Sequence, residues 1–323
     1  MPLDRLAYVA LVSRDVDAVA RLFERTLGLA RTDVTVGDTL RTVPLFAVSQ
    51  SAIALFAPGD PFLEGEERTG VHHIAFGTED PGAEAARIGK EGFRVSPAPS
   101  GLQNRKRFAL DPTATAGVRA CITEPIERKG SPAGKVERID HIGIASADNT
   151  LAVDIFSHRL GLALESQQTD MEVEIAVESF TSDKYGAVYH TRPARPVGGL
   201  RVAFITAGDC ELEFLQNFDP AQGAFVDHAR AGTTRQDQGA IARYIASRGA
   251  GLHHVAFKVR DIDAMLAATR DAGFPTIDRV GRPGSRRALI GFLQPKNLGG
   301  VLVHFVQRDE VIAVPATSSS APL

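Results

Sequence analysis

Between residues 147 and 160 the apolar side chains Leu151, Ala152, Ile155, Phe156 and Leu160 return at the spacing of one helical face. Asp148 or Asn149 is available to cap the first turn and Gly161 to end the last, so an amphipathic helix is predicted. The stretch ahead of it, IDHIGIA at 139–145, is short and apolar and reads as a strand. Behind it, RVAFIT at 201–206 and ELEFLQ at 211–216 are rich in β-branched and aromatic residues and flank the turn AGDC, which predicts a hairpin. The local pattern is strand, helix, then about three strands.

That unit recurs. LAYVALVSRDVDAVARLFERTLGLA at 6–30 aligns with IDHIGIASADNTLAVDIFSHRLGLA at 139–163, and GVHHIAF at 70–76 aligns with GLHHVAF at 251–257. Each half of the chain opens with one copy and closes on another, giving four units. A segment dense in Pro, Gly and charge, PIERKGSPAGKVE at 125–137, separates the halves. The expected organisation is an N-terminal domain over 1–124, a linker over 125–137, a C-terminal domain over 138–310, and a flexible tail of small residues over 311–323.

Composition narrows the function classes. A chain of 323 residues, 44% of them hydrophobic, can bury two cores of ordinary size. The net charge of -3, with both signs interspersed, argues against a nucleic-acid partner. No apolar run approaches the roughly 20 residues of a membrane helix, and the N-terminal apolar stretch is too short and too close to charge for a secretory signal. A cytoplasmic protein with no membrane partner is expected. Cys121 and Cys210 are too few for a disulfide framework or a thiolate zinc site and read as small buried thiols. The histidines say more, because four of the nine form the pairs His72/His73 and His253/His254 inside the repeats.

The four-unit layout carries IDHIGIA at 139–145, GDCELEFLQ at 208–216, AGLHHVAFKVRDIDA at 250–264 and FLQPKNLGGVLVHF at 292–305. It resembles the vicinal oxygen chelate superfamily of glyoxalases, bleomycin-resistance proteins and extradiol dioxygenases, and its C-terminal half is most similar to the methylmalonyl-CoA epimerases. The resemblance implies an α+β fold of four βαβββ modules forming two paired-module, glyoxalase-like domains. It also implies one divalent metal ion held by His141, Glu213, His254 and His304, the last standing where the family carries a glutamate. Such an ion needs three or four nitrogen and oxygen donors converging from separate strands, with positions left for substrate, and Fe, Mn, Co, Ni and Zn all accept these donors. Strict strand alternation would put His141 on the face of Ile139 and Gly143, turn His253 away from His254, and leave Glu211 beside Glu213 as an alternative carboxylate. In the N-terminal half Tyr8, Ala54 and Cys121 stand where His141, Glu213 and His304 stand, and only His73 is kept. Modules one and two are therefore expected to serve as scaffold or pocket wall.

A metal with open positions would chelate a small-molecule substrate bearing vicinal oxygens and stabilise an enolate as a Lewis acid. The expected activity is that of a metal-dependent epimerase or isomerase moving a proton next to a carbonyl, on a cyclitol ketone or acyl-CoA type of substrate. The base is sought among His304 and, in the segment 165–199, Glu174, Tyr185, Tyr189 and His190, although that segment reads equally as a solvated loop. Arg282, Arg286, Arg287 and Lys296 either bind an anionic substrate or decorate a surface hairpin. Two alternatives stay open: an Fe(II)-dependent dioxygenase similar to the extradiol or 4-hydroxyphenylpyruvate enzymes, and a non-catalytic ligand-binding or resistance protein of the same fold. Fused modules can build the cleft within one chain, so a homodimer is permitted rather than required.

Overall fold

The computed structural model describes residues 3, 5–130, 134–174, 177–184, 186–191, 195–218, 229–231 and 239–309. The first module contains β1 (Leu6–Val12), α1 (Val16–Arg21), β2 (Ala30–Thr35), β3 (Thr42–Val48) and β4 (Ser51–Phe56). The second contains β5 (Gly70–Gly77), α2 (Pro81–Lys90), β6 (Val95–Ala98), β7 (Arg107–Leu110) and β8 (Ala120–Thr123). Their strands form one sheet in the order β2-β3-β4-β1-β5-β8-β7-β6.

The third module contains β9 (Val136–Ala145), α3 (Asn149–Val153), β10 (Ala163–Glu174), β11 (Val177–Ser182), β12 (Gly186–Thr191), β13 (Arg195–Ala207) and β14 (Cys210–Phe218). After β15 (Ala229–Ala231) and α4 (Ala240–Arg248), the fourth module supplies β16 (Gly251–Val259), α5 (Ile262–Asp271), β17 (Arg282–Pro283), β18 (Leu289–Phe292) and β19 (Val303–Gln307). The second sheet runs β15-β10-β13-β14-β9-β16-β19-β18-β17, and β11 pairs with β12 separately. In each sheet two modules meet at a central antiparallel pair, β1 with β5 and β9 with β16, flanked on both sides by parallel neighbours. This is the α+β architecture of two glyoxalase-like domains built from four βαβββ modules.

Local chemistry sets the element ends. Asp148 accepts from the backbone N–H of Thr150 and Leu151, α3 continues as a π-helical turn through Arg159, and Gly161 follows at φ 84°. Ala152, Ile155, Phe156 and Leu160 are buried as predicted, but Leu151 is 48% exposed, one residue and 100° round the helix from Ala152. The predicted hairpin is β13 with β14, closed between Ala207 and Cys210. Both cysteines are buried. β9 begins at Val136, two residues inside the segment predicted as linker, because Val136 pairs with Val259.

The halves share a core in which Phe23 meets Phe257 edge to face at 5.5 Å. The PKNLGG segment seats one half on the other: Ser13 Oγ donates to the Leu298 carbonyl at 3.0 Å and Arg14 N–H to that of Gly299 at 3.0 Å. Gly299 is left-handed, and a side chain there would collide with Ser13 and Arg14.

Each central strand carries a β-bulge. Pairing steps from Leu6 to Tyr8 against Phe76 and Ala75, and from Val71 to His73 against Leu11 and Ala10. In the second sheet it steps from Ile139 to His141 against Phe257 and Ala256, and from Leu252 to His254 against Ile144 and Gly143. The extra residues at these four steps are Ala7, His72, Asp140 and His253, and a further step near the start of β9 leaves Glu137 extra. A bulge reverses the inside–outside alternation, so Ile139 joins Ile142 and Ile144 in the helix-covered core, whereas His141 turns to the opposite face. The expectation that His141 shares a face with Ile139 is corrected on this point.

Candidate metal centre

Register brings four side chains to one point. Gly143 in β9 lies opposite Glu213 of β14 on one side and His254 of β16 on the other, and Ala256 of β16 lies opposite both His141 and His304 of β19. His141, Glu213, His254 and His304 are all buried. His141 Nε2 stands 3.1 Å from Glu213 Oε2, 3.1 Å from His304 Nε2 and 3.4 Å from His254 Nε2, with Glu213 Oε2 3.7 Å from His254 Nε2. Glu211, the alternative carboxylate, instead pairs with Arg286 and Arg308.

The bulge residues hold these rings. Asp140 Oδ2 accepts from His141 Nδ1 at 3.0 Å and from Arg308 at 2.9 Å. His253 Nδ1 lies 2.9 Å from His254 Nδ1, so His253 does not face away; the bulge swings it alongside its neighbour. Gly143 makes the room: a Cβ there would lie within 3.0 Å of three atoms of the His254 ring.

Electrostatics divide the imidazoles. Burial alone would depress His141, but the Glu213 carboxylate and the hydrogen bond His141 donates to Asp140 outweigh it and raise the pKa to about 9. For Asp140 the upward push of burial is overcome by His141 and Arg308, which hold it at about 2. Glu213 is likewise lowered, its burial opposed chiefly by His141. Burial keeps His254 and His304 well below the usual imidazole value and hence neutral.

Donors held about 2.0–2.2 Å from a divalent ion sit about 3–3.5 Å from one another. Three of the four spacings fall in that range and the fourth, 3.7 Å, lies just beyond it, and the donor atoms of His141, His254 and His304 all lie within 4.8 Å of one another. The residues present therefore fit a divalent ion. His304 Nδ1 is buried with no hydrogen-bond partner, so its contact with the cluster is made through Nε2.

The cluster lies at a cavity of about 340 Å³ walled by Phe204, Ile290, Phe292, Arg282, Arg286 and Arg308 among others. Arg286 is a non-glycine residue at φ 54°; its guanidinium lies 3.6 Å over the Phe204 ring and pairs with Glu165 at 2.9 Å and with Glu211. Holding a side chain in that region costs of order 1 kcal/mol, which these contacts offset. Arg282 also lines the cavity, whereas Arg287 and Lys296 are exposed and do not. Tyr185, the side chains of Glu174, Tyr189 and His190, and the tail 311–323 lie outside the described residues.

Comparison with known proteins bears on this geometry. A model of the Glyoxalase/Bleomycin resistance protein/Dioxygenase superfamily matches residues 140–292, and a second model of the same superfamily matches residues 5–119. The chain belongs to this superfamily. The Bacillus subtilis protein YqjC is 26% identical over 172 residues, 53% of this chain and 93% of its own length. Mitochondrial methylmalonyl-CoA epimerase of Mus musculus is 23% identical over 182 residues, 56% of this chain and 78% of its own length. A variant of 4-hydroxymandelate synthase from Streptomyces coelicolor is alike in fold across 96% of this chain and 94% of that one, with a TM-score of 0.61 and 14% identity.

Within this superfamily member the N-terminal half repeats the register but not the donors. Ala10, opposite both Ala54 and His73, occupies the place of Gly143, and Ala75 lies opposite Cys121 as Ala256 does His304. His73 Nε2 meets the Tyr8 hydroxyl at 3.1 Å. Sequence reasoning missed Asp140, Gly143, Phe204 and Arg308. Only the first two left a trace, as an acidic residue directly before His141 and a glycine two residues after it. No helix among the described residues is long and apolar enough to cross a membrane.

Proposed function

We propose that the protein is a metal-dependent epimerase or isomerase that moves a proton next to a carbonyl of a small oxygenated substrate. The observation that carries this reading is the convergence of three imidazoles and one carboxylate, from four different strands, at a buried point on an arginine-walled cavity. His141, Glu213, His254 and His304 would hold the ion, which when bound would polarise a substrate carbonyl oxygen. The protein's own contribution is orientation: Asp140 fixes the His141 ring, His253 that of His254, and the Phe204 and Phe292 faces exclude water from one wall. Arg282 and Arg286 suit an anionic or strongly polar substrate end. His304, neutral where a carboxylate would add negative charge, leaves the proton-moving role to it or to a group of the segment 165–199. We take the C-terminal domain, 138–310, as the catalytic one.

The test is deuterium uptake. Protein loaded with Co²⁺ or Mn²⁺ in D₂O is expected to exchange the α-proton of a 2-methylmalonyl thioester or of a 2-hydroxy cyclic ketone, and a His254→Ala variant to lose it. A dioxygenase is the second reading, supported by the two histidines and one carboxylate within the set, a donor combination suited to Fe(II). Oxygen uptake by Fe(II)-loaded protein with a 4-hydroxyphenyl keto acid, without exchange of any ketone, would replace the first reading by the second. Metal-independent binding with neither activity would leave a ligand-binding protein.

A further inference from the structure

The N-terminal half holds its own cleft, of about 570 Å³, at the position that mirrors the metal centre. His72, His73, Arg107, Arg119, Phe62 and Cys121 lie on its walls. We propose that this cleft is a second binding site, for a small organic carboxylate with a flat apolar body, held by Arg107.

At the four mirrored positions the C-terminal half has three imidazoles and a carboxylate; here they are Tyr8, Ala54, His73 and Cys121. Burial keeps the Tyr8 hydroxyl and the Cys121 thiol protonated and the His73 ring neutral, so nothing at this point offers a cation a negative partner. The bulge residue ahead of the His141 position differs in the same sense: Asp140 supports His141, whereas Ala7 stands before Tyr8.

Hydrogen-bond direction also places a proton at the mirrored nitrogen. Arg119 approaches His72 Nε2 at 2.9 Å, and a guanidinium can only donate. His72 therefore carries its proton on Nδ1 and donates to His73 Nδ1 at 2.8 Å. The His73 proton is left on Nε2, where it donates to the Tyr8 oxygen at 3.1 Å. The nitrogen that would face an ion is thus already a donor.

What remains is a positive charge without a carboxylate. Of the two glutamates on the wall, Glu66 pairs with Arg68 and with Arg119, and Glu64 is exposed. Arg107 gives its Nε–H to the Pro99 carbonyl at 2.7 Å and lies 4.1 Å over the ring of Phe62, which itself stacks on Phe56 at 5.3 Å. No carboxylate among the described residues pairs with it. Arg107 also reaches the Tyr8 hydroxyl, and the end of a guanidinium fixed by its Nε and stacked on one face is the edge that can receive a carboxylate. Leu63 and Leu110 supply apolar surface for the ligand body.

The test uses full-length protein and 4-fluorobenzoate as probe, followed by ¹⁹F NMR titration. Saturable binding is expected, about tenfold or more weaker in Arg107→Gln, retained in His304→Ala, and about tenfold weaker for the neutral 4-fluorobenzamide. Should Arg107→Gln fail to give the wild-type circular dichroism spectrum, Phe62→Leu, which removes the stacking plane and keeps the charge, is expected to weaken binding as well. Binding that survives both N-terminal substitutions, that disappears in His304→Ala, or that is as strong for the amide would overturn the proposal, as would absence of saturable binding.

Discussion

Replacing Gly143 by alanine tests whether the metal centre depends on one missing methyl group. The backbone does not demand glycine here, since Gly143 is absent from the residues with positive φ. The demand comes from space: an added Cβ would have three atoms of the His254 ring inside 3.0 Å. Carbon atoms in favourable contact sit about 3.5–4.0 Å apart, so the ring must retreat by at least about 0.5 Å. Metal–donor distances tolerate about 0.2 Å. His254 would therefore leave the cluster or the strand pair would open, with an overpacking cost of about 1–3 kcal/mol. Co²⁺ affinity, measured by competition with a chromophoric chelator, is expected to fall about 100-fold, the upper end of the range seen when support of metal ligands is disturbed. Gly161→Ala is the matching control. Gly161 has φ 84° and open space around its Cβ direction, so this change should cost about 1 kcal/mol of stability and leave Co²⁺ affinity unchanged. A Gly143→Ala protein that binds Co²⁺ like the wild type would refute the reasoning.

Four further outcomes are expected. Asp140→Asn removes the carboxylate that receives His141 Nδ1 and should lower metal affinity about 10–100-fold while the far-ultraviolet circular dichroism spectrum stays unchanged; unaltered affinity in chelator competition would show that Asp140 does not orient the ring. In metal-free protein the folded-state pKa of His141 is raised from 6.5 to about 9, so its stabilising contribution is complete below about pH 6.5 and is lost as pH rises through about 9; urea midpoints between pH 6 and 10 should fall for the wild type and stay flatter for His141→Gln. The same proton has to leave when an ion binds, so calorimetry at pH 8 in two buffers of different ionisation enthalpy should report about one proton released per ion. Stripping the ion with a chelator should lower Tm, since a ligand at 100 times its Kd stabilises by about 2.7 kcal/mol; an identical Tm with and without 1 mM Mn²⁺ or Co²⁺ would argue against a site in the folded protein.

The fold was legible because periodicity and repetition act locally. The helix after Asp148, the β13–β14 hairpin and the four units with their central strands each followed from spacing within a few residues. Convergence of His141, Glu213, His254 and His304 was reached through the resemblance of ordered motifs, and Glu213 rather than Glu211 at the cluster was left open because both face the same way. The cavity walls were less legible. Arg286 is brought to Phe204 by a left-handed turn, and Arg308 reaches Asp140 from beyond the end of β19. No period encodes either approach.

Alternation failed where the bulges lie, and the failure explains the chemistry. A strand of period two cannot place two successive side chains together, so it turns His253 away from His254 and Asp140 away from His141. One inserted residue in each central strand removes that restriction. The residue before each buried aromatic or imidazole ring can then touch it: Asp140 on His141, His253 on His254, and His72 on His73. A carboxylate in that place makes its imidazole more basic and turns Nε2 into a donor for a cation. A histidine fed by Arg119 fixes the opposite tautomer and leaves a proton where an ion would bind. The two clefts share register and differ in their donors: His72 stands before His73 as His253 does before His254, but Arg119 sets the tautomer of the N-terminal pair. His72→Asp and Arg119→Leu made together should release His73 Nε2 as an acceptor. It should still bind no ion, because Tyr8, Ala54 and Cys121 remain; Co²⁺ stoichiometry rising from one to two would show that the bulge residue alone decides the outcome.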